Sequence, residues 1–119
     1  MKKVWTFREA KVMFPVIREI TEEYFALVKE LEDVIKNTIM PENEMEDLEQ
    51  EAKKLKIEWA REINKREVDV KGLWLVDFDN GKGYYCWKIG EKDLMYEHSY
   101  EEGFAGRKPI KKDDTDDVY

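Results

Sequence analysis

The chain has 119 residues, with 21 basic against 28 acidic side chains, one Cys and one His. That length suits one domain with a core of its own, and a net charge of −7 carries no basic stripe of the kind that phosphate neutralisation needs, so nucleic acid is not an expected partner. One cysteine excludes an internal disulfide and a thiolate cluster, and no apolar run approaches the ~18–20 residues of a membrane-crossing helix, so a soluble, cytoplasmic protein off the membrane is expected.

Charged residues make up 41% of the chain, while Gln50 and Ser99 are its only Gln and Ser. Many Lys and Glu with few thermolabile amides is a thermophile-like composition.

The first helical signal is a capping box. Thr6 can accept from the Glu9 amide while Glu9 reaches back, ahead of Phe7, Ala10, Met13 and Phe14. Pro15 lacks an N–H, so it either kinks a continuous helix or opens a new one, and the reading adopted is a helix over about 7–14 followed by one over 15–38. Ile17, Ile20, Tyr24, Leu27, Leu31 and Val34 then recur at coiled-coil spacing.

Met40-Pro41 breaks this helix, and Asn43 with Glu46 three residues on marks a new N-cap, opening a helix over about 43–66. Met45, Leu48, Ala52, Leu55, Trp59 and Ile63 repeat the seam. Acids crowd its first half and bases its second, the order that complements the helix dipole. Two helices joined by about five residues lie antiparallel. Their apolar stripes, widened by Val16, Val28, Ile35, Ile57 and Ala60, exceed what two helices can bury. A homodimer through helices 15–38 and 43–66, as in a four-helix bundle, is therefore expected, with the sheet as the other candidate cover.

From Val68 the apolar period becomes two, giving strands over about 68–71, 73–79, 83–89 and 94–98. Asn80-Gly81 signals a type I′ hairpin. Pairing Asp79 with Lys82 puts Trp74, Val76 and Phe78 on one face with Tyr85 and Trp87, which packs on the helices. Asp77 falls opposite Tyr84 on the other face.

The fold class is α+β: an N-terminal helix and a long antiparallel helical hairpin, followed by a three- to four-stranded antiparallel sheet. Residues 1–110 form one domain. Residues 111–119, with four acids and no hydrophobic period, read as an acidic disordered tail.

Thr6-x-x-Glu-Ala, the Phe14-Pro15 break, Leu75-Val76-Asp77-Phe78, Cys86-Trp87-Lys88-Ile89-Gly90 and His98-x4-Gly103-Phe104-Ala105-Gly106-Arg107-x-Pro109 together carry a resemblance. From Thr6 to Ile110 the chain resembles the domain of unknown function 2203 family. It departs from that pattern with Glu97 where a Trp precedes the His, and with a short hairpin loop lacking the usual proline. The resemblance implies a small prokaryotic protein and brings no activity with it.

Gly103 and Gly106, three apart with Arg107 behind them, describe a turn needing positive φ or close backbone approach, with Phe104 pushed into a pocket. Arg107 then has a fixed direction. Either it bonds backbone carbonyls or an acid such as Asp77, or it takes the carboxylate or phosphate of a small anionic ligand beside Asp77, His98, Gly103 and Gly106. His98 is either a titrating group or hydrogen-bond donor beside that ligand, or a strand-end residue satisfied by a backbone carbonyl or Asp77. One imidazole near Glu97, Glu101 and Glu102 lacks the spacing of a metal site, so no metal or other cofactor is expected. Cys86, mid-strand, reads as a packed thiol, and Ser99 beside His98 points the other way along a strand. The leading functional expectation is a non-catalytic homo-oligomeric interaction module. The alternative is a small-anion binder or enzyme at the Gly-Phe-Ala-Gly-Arg turn.

Overall fold

The computed structural model describes residues 2–111; the expected acidic tail at 111–119 lies outside them but for Lys111. Two helices precede a five-stranded antiparallel sheet, an α+β arrangement. The helices are α1, Phe7–Asn37, and α2, Glu42–Asn64. The strands are β1 (Asp69–Gly72), β2 (Leu75–Asp79), β3 (Gly83–Lys88), β4 (Tyr96–Ser99) and β5 (Lys108–Pro109), paired in chain order.

The expected break at Pro15 does not occur: α1 is one helix of 31 residues with Pro15 inside it. Phe14 and Ile17, on either side of the proline, are both buried on one face, so a single helix keeps the apolar stripe continuous. Pro15 itself is exposed, where water can take the carbonyl bond that the proline cannot. The expected capping box is present. Thr6 Oγ1 accepts from the Glu9 amide at 3.1 Å and Glu9 Oε1 accepts from the Thr6 amide at 3.0 Å.

The buried line of α1 runs through Ala10, Phe14, Ile17, Thr21 and Val28. It is rotated from the expected seam, whose Leu27 and Val34 are exposed. The sheet causes the rotation: Phe7, Phe14 and Phe25 meet Tyr85, Trp87 and Trp74 edge-on, with ring centroids 5.4–5.6 Å apart. In α2, Ala52, Trp59 and Ile63 of the expected seam are buried. The Trp59 indole N–H donates to Thr21 Oγ1 at 2.8 Å, satisfying a polar group inside the core.

α2 begins one residue earlier than expected, and Pro41, not Asn43, is its N-cap. The proline holds φ at −59°, and its carbonyl accepts from the Glu44 and Met45 amides. Asn43 therefore falls inside the first turn.

The hairpin also closes differently. Asp79 pairs with Tyr84 and Asp77 with Cys86, a register two residues away from the one expected. Gly81 has φ +88° while Asn80 stays out of the left-handed region, so the turn is not type I′. Instead Asn80 Oδ1 accepts from the Lys82 and Gly83 amides at 2.9 and 2.8 Å. Because the strand period is two, this shift leaves the faces unchanged. Val76, Phe78, Tyr85 and Trp87 pack on the helices as expected, each at most 5% exposed.

The fifth strand was not legible in the sequence. Lys108 pairs with Glu97 and Pro109 with Tyr96 at the sheet edge. Two residues carry no period, and proline is tolerated only at such an edge.

Candidate functional site

The face of the sheet turned away from the helices carries the polar groups. Alternation along β2 and β3 brings Asp77 opposite Cys86, and β3–β4 pairing brings Tyr84 opposite His98. Although no helix covers this face, Asp77 is 1%, Cys86 0% and His98 5% exposed. Aromatic side chains supply the cover: the Tyr84 ring lies 5.4 Å from the His98 ring, and Tyr100 stands edge-on to Tyr84 at 5.2 Å. Lys71 Nζ sits 4.4 Å above the Tyr84 ring. Tyr100 is held there by its hydroxyl donating to Asp79 Oδ1 at 2.7 Å.

The partners of His98 fix one of its protons. Nδ1 lies 2.7 Å from the Ser99 carbonyl oxygen, which can only accept, so Nδ1 carries the hydrogen. Nε2 lies 3.0 Å from Asp77 Oδ2. Across that contact stands one proton: either on Asp77, donating to a neutral imidazole, or on Nε2, donating to a carboxylate. Burial pushes the Asp77 carboxyl up, against the opposing pull of Cys86, His98 and Lys71. The second carboxyl oxygen, Oδ1, is buried and accepts no hydrogen bond from an N–H or O–H group.

Cys86 faces the same carboxyl. Burial, and after it the Asp77 group, push its thiol far up, so the sulfur stays protonated and is not an activated nucleophile. Ser99 gives its carbonyl to His98 while its Oγ accepts from the Glu102 amide at 3.1 Å. It is thus placed as a turn residue.

Arg107 belongs to a neighbouring cluster. Nη1 and Nη2 donate to the two carboxylate oxygens of Glu91 at 2.6 and 2.5 Å, and Nη2 reaches the Cys86 carbonyl at 3.3 Å. The guanidinium is stacked between Tyr96 and Phe104, 4.2 and 4.5 Å from their ring centroids. Burial works against its charge, and the Glu91 bonds outweigh it. The acid partner is Glu91, while Asp77 is occupied by His98. Phe104 fills no pocket; it is 44% exposed and forms one wall of this stack.

The two glycines behave as their spacing indicates. Gly103 has φ +65°, and a Cβ on Gly106 would come within 2.3 Å of the Glu102 side chain. Of the sequence-derived candidates, then, the fold brings Asp77 and His98 into contact. Arg107, Gly103 and Gly106 form a second cluster, joined to the first where Arg107 Nη2 bonds the Cys86 carbonyl. Cys86 joins the first group, and the two-residue register shift explains why the sequence put Tyr84 opposite Asp77.

A cleft of about 630 Å³ opens between the start of α1, the hairpin turn and β4–β5, with Thr6, Lys82, Ser99, Lys108 and Lys111 in its lining. Among the described residues none of these three lysines makes an ion pair. Among the described residues, no helix is long and apolar enough to cross a membrane.

A family model described as "Uncharacterized conserved protein (DUF2203)" matches residues 3–110. No curated protein and no solved structure matches the chain.

Proposed function

We propose that this chain, which belongs to the family described as Uncharacterized conserved protein (DUF2203), acts as a homo-oligomeric interaction module whose helical hairpin pairs with a second copy. One observation carries the reading: from Lys29 to Glu51, the end of α1 and the start of α2, no side chain is buried. Only Leu31, Ile35, Met40, Met45 and Leu48 in that stretch are even half-buried. Two helices of a few turns with no third layer are marginal in water, since most helical stability comes from packing an apolar face.

The molecule measures 59 × 26 × 24 Å, so the hairpin projects well past the sheet. Val16, Leu27 and Val34, 40–49% exposed, continue an uncovered apolar line along α1. The charge on α2 favours a second copy as the cover. Glu42, Glu44, Glu46, Glu49 and Glu51 lie toward the tip, and Lys53, Lys54, Arg61 and Lys65 toward the base. A twofold, antiparallel pair of hairpins sets each acidic half against a basic half.

Sedimentation equilibrium tests this. The wild type is expected at twice the chain mass, and Leu27→Glu with Val34→Glu at the mass of one chain, with the helical circular dichroism of the folded hairpin base retained. A monomeric wild type, or a dimer indifferent to both substitutions, would overturn the reading.

A second reading, a small-anion binder, is supported by Lys82, Lys108 and Lys111, which make no ion pair with another described residue, around the cleft that Ser99 and Glu97 also line. In that reading Lys82, Lys108 and Lys111 take the phosphate or carboxylate, and Arg107, held by Glu91, shapes the Gly103–Gly106 turn near Asp77 and His98. Inorganic phosphate titrated against alanine variants of the three lysines separates it from the first.

A further inference from the structure

We infer that Asp77, Cys86 and His98 form a binding site for one divalent transition-metal ion of the zinc type. A carboxylate oxygen, a sulfur and an imidazole nitrogen, one each from β2, β3 and β4, lie within 4.8 Å of one another, and all three residues are buried. In a tetrahedral zinc site, bonds of about 2.0–2.3 Å place such ligand atoms about 3.3–3.6 Å apart. The present cluster therefore needs adjustments of only about 1 Å to close on an ion.

Two details make this more than a coincidence of residue types. The Ser99 carbonyl accepts the Nδ1 proton at 2.7 Å, which leaves Nε2 as the ring nitrogen facing the cluster, 3.0 Å from Asp77 Oδ2. A backbone carbonyl on the far nitrogen is the arrangement that orients metal-binding histidines. Asp77 Oδ1, meanwhile, is buried without a hydrogen bond from an N–H or O–H group, the Cys86 thiol being a weak donor that faces the carboxyl, a condition that a cation would relieve.

The donor set also selects the ion. One thiolate, one imidazole and one carboxylate suit zinc or cobalt and do not suit magnesium or calcium, which want oxygen alone. Binding releases two protons to water, the one on the Cys86 sulfur and the one held between Asp77 and His98. A dication against one carboxylate and one thiolate then leaves the site at net zero charge, the condition under which charged groups can stay buried. Strands hold all three ligands, and the Tyr84 ring shields them from water. With three protein ligands, the fourth position falls to Oδ1 of the same carboxylate or to water.

Cobalt(II) is the probe. The full chain, stripped of metal by a chelator, is titrated with Co²⁺ and followed by absorption. The expected result is saturation at one equivalent with a thiolate-to-cobalt charge-transfer band, loss of that band when Zn²⁺ displaces the cobalt, and a higher melting temperature with Zn²⁺ bound. Because Cys86 is the chain's one cysteine, a thiolate band in the wild type reports this site even if a variant folds poorly. Cys86→Ser should abolish the band, and His98→Gln should weaken cobalt binding by about tenfold or more. No saturable binding, or binding without a thiolate band, would overturn the assignment. The proposal stands apart from hairpin pairing, since every readout comes from the sheet.

Discussion

Arg107 shows how one side chain can be read correctly in kind, down to a backbone carbonyl, that of Cys86, while the acid it meets is another one. Its position behind two glycines gives it a fixed direction, and its planar fork calls for a carboxylate. The carboxylate is Glu91, in the β3–β4 connection, whose path no periodicity encodes. Glu91 Oε1 also accepts from the Lys88 amide at 2.8 Å, so the pair ties the end of β3 to the start of β5. Replacing Arg107 by Ala leaves a partly buried carboxylate short of donors and removes the stack on Tyr96 and Phe104. Urea unfolding should show a loss of about 1–3 kcal/mol. Arg107→Lys keeps the charge but not the fork or the stacking plane, and should recover only a minor part of that loss. His98, by contrast, meets both of the groups that the sequence offered it as alternatives, a backbone carbonyl, from Ser99, and Asp77.

Among the elements, the helix starts differ in how far local residues decide them. The α1 cap is written in Thr6 and Glu9 and forms as written. The α2 cap is decided by the fixed φ of Pro41, which outcompetes the side chain of Asn43. Hydrogen bonding from the Thr6 amide, and then from Lys3, holds the Glu9 carboxyl below its ordinary value of 4.5. A carboxyl depressed in the folded chain contributes stability above its unfolded value and loses it as pH falls toward the folded one. The melting-temperature gap between wild type and Glu9→Ala should therefore be open at neutral pH, narrow below about pH 4.5 and close once Glu9 is protonated in both states. A gap independent of pH would mean that the box acts through packing alone. The strands follow the same division. Faces are set by alternation and were legible, whereas register depends on the Asn80 side chain bonding the turn amides, which no period reveals.

At the scale of the molecule, two features lie at opposite ends. A sheet whose outer face hides an acid, a thiol and an imidazole occupies one end, and a bare helical hairpin occupies the other. Neither was visible from charge totals, because the acids spread along the chain and gather most densely at a helix start, where the dipole favours them. The seam on α1 could be seen in the sequence, but not which of its residues the sheet would claim.

All four tryptophans sit at the sheet end: Trp5 in the segment whose amide bonds the Asp79 carbonyl, Trp59 in the second half of α2, and Trp74 and Trp87 in the sheet region. None lies between Lys29 and Glu51. Indole emission therefore watches only one end, whereas far-ultraviolet dichroism is dominated by helix and watches both. On heating a dilute sample the dichroism should begin to fall before the emission shifts, and at high concentration the two curves should converge as pairing steadies the hairpin. Coincident curves at every concentration would mean that the sheet alone holds the hairpin to its tip. Indole emission on its own would thus report a cooperative domain and miss the hairpin tip.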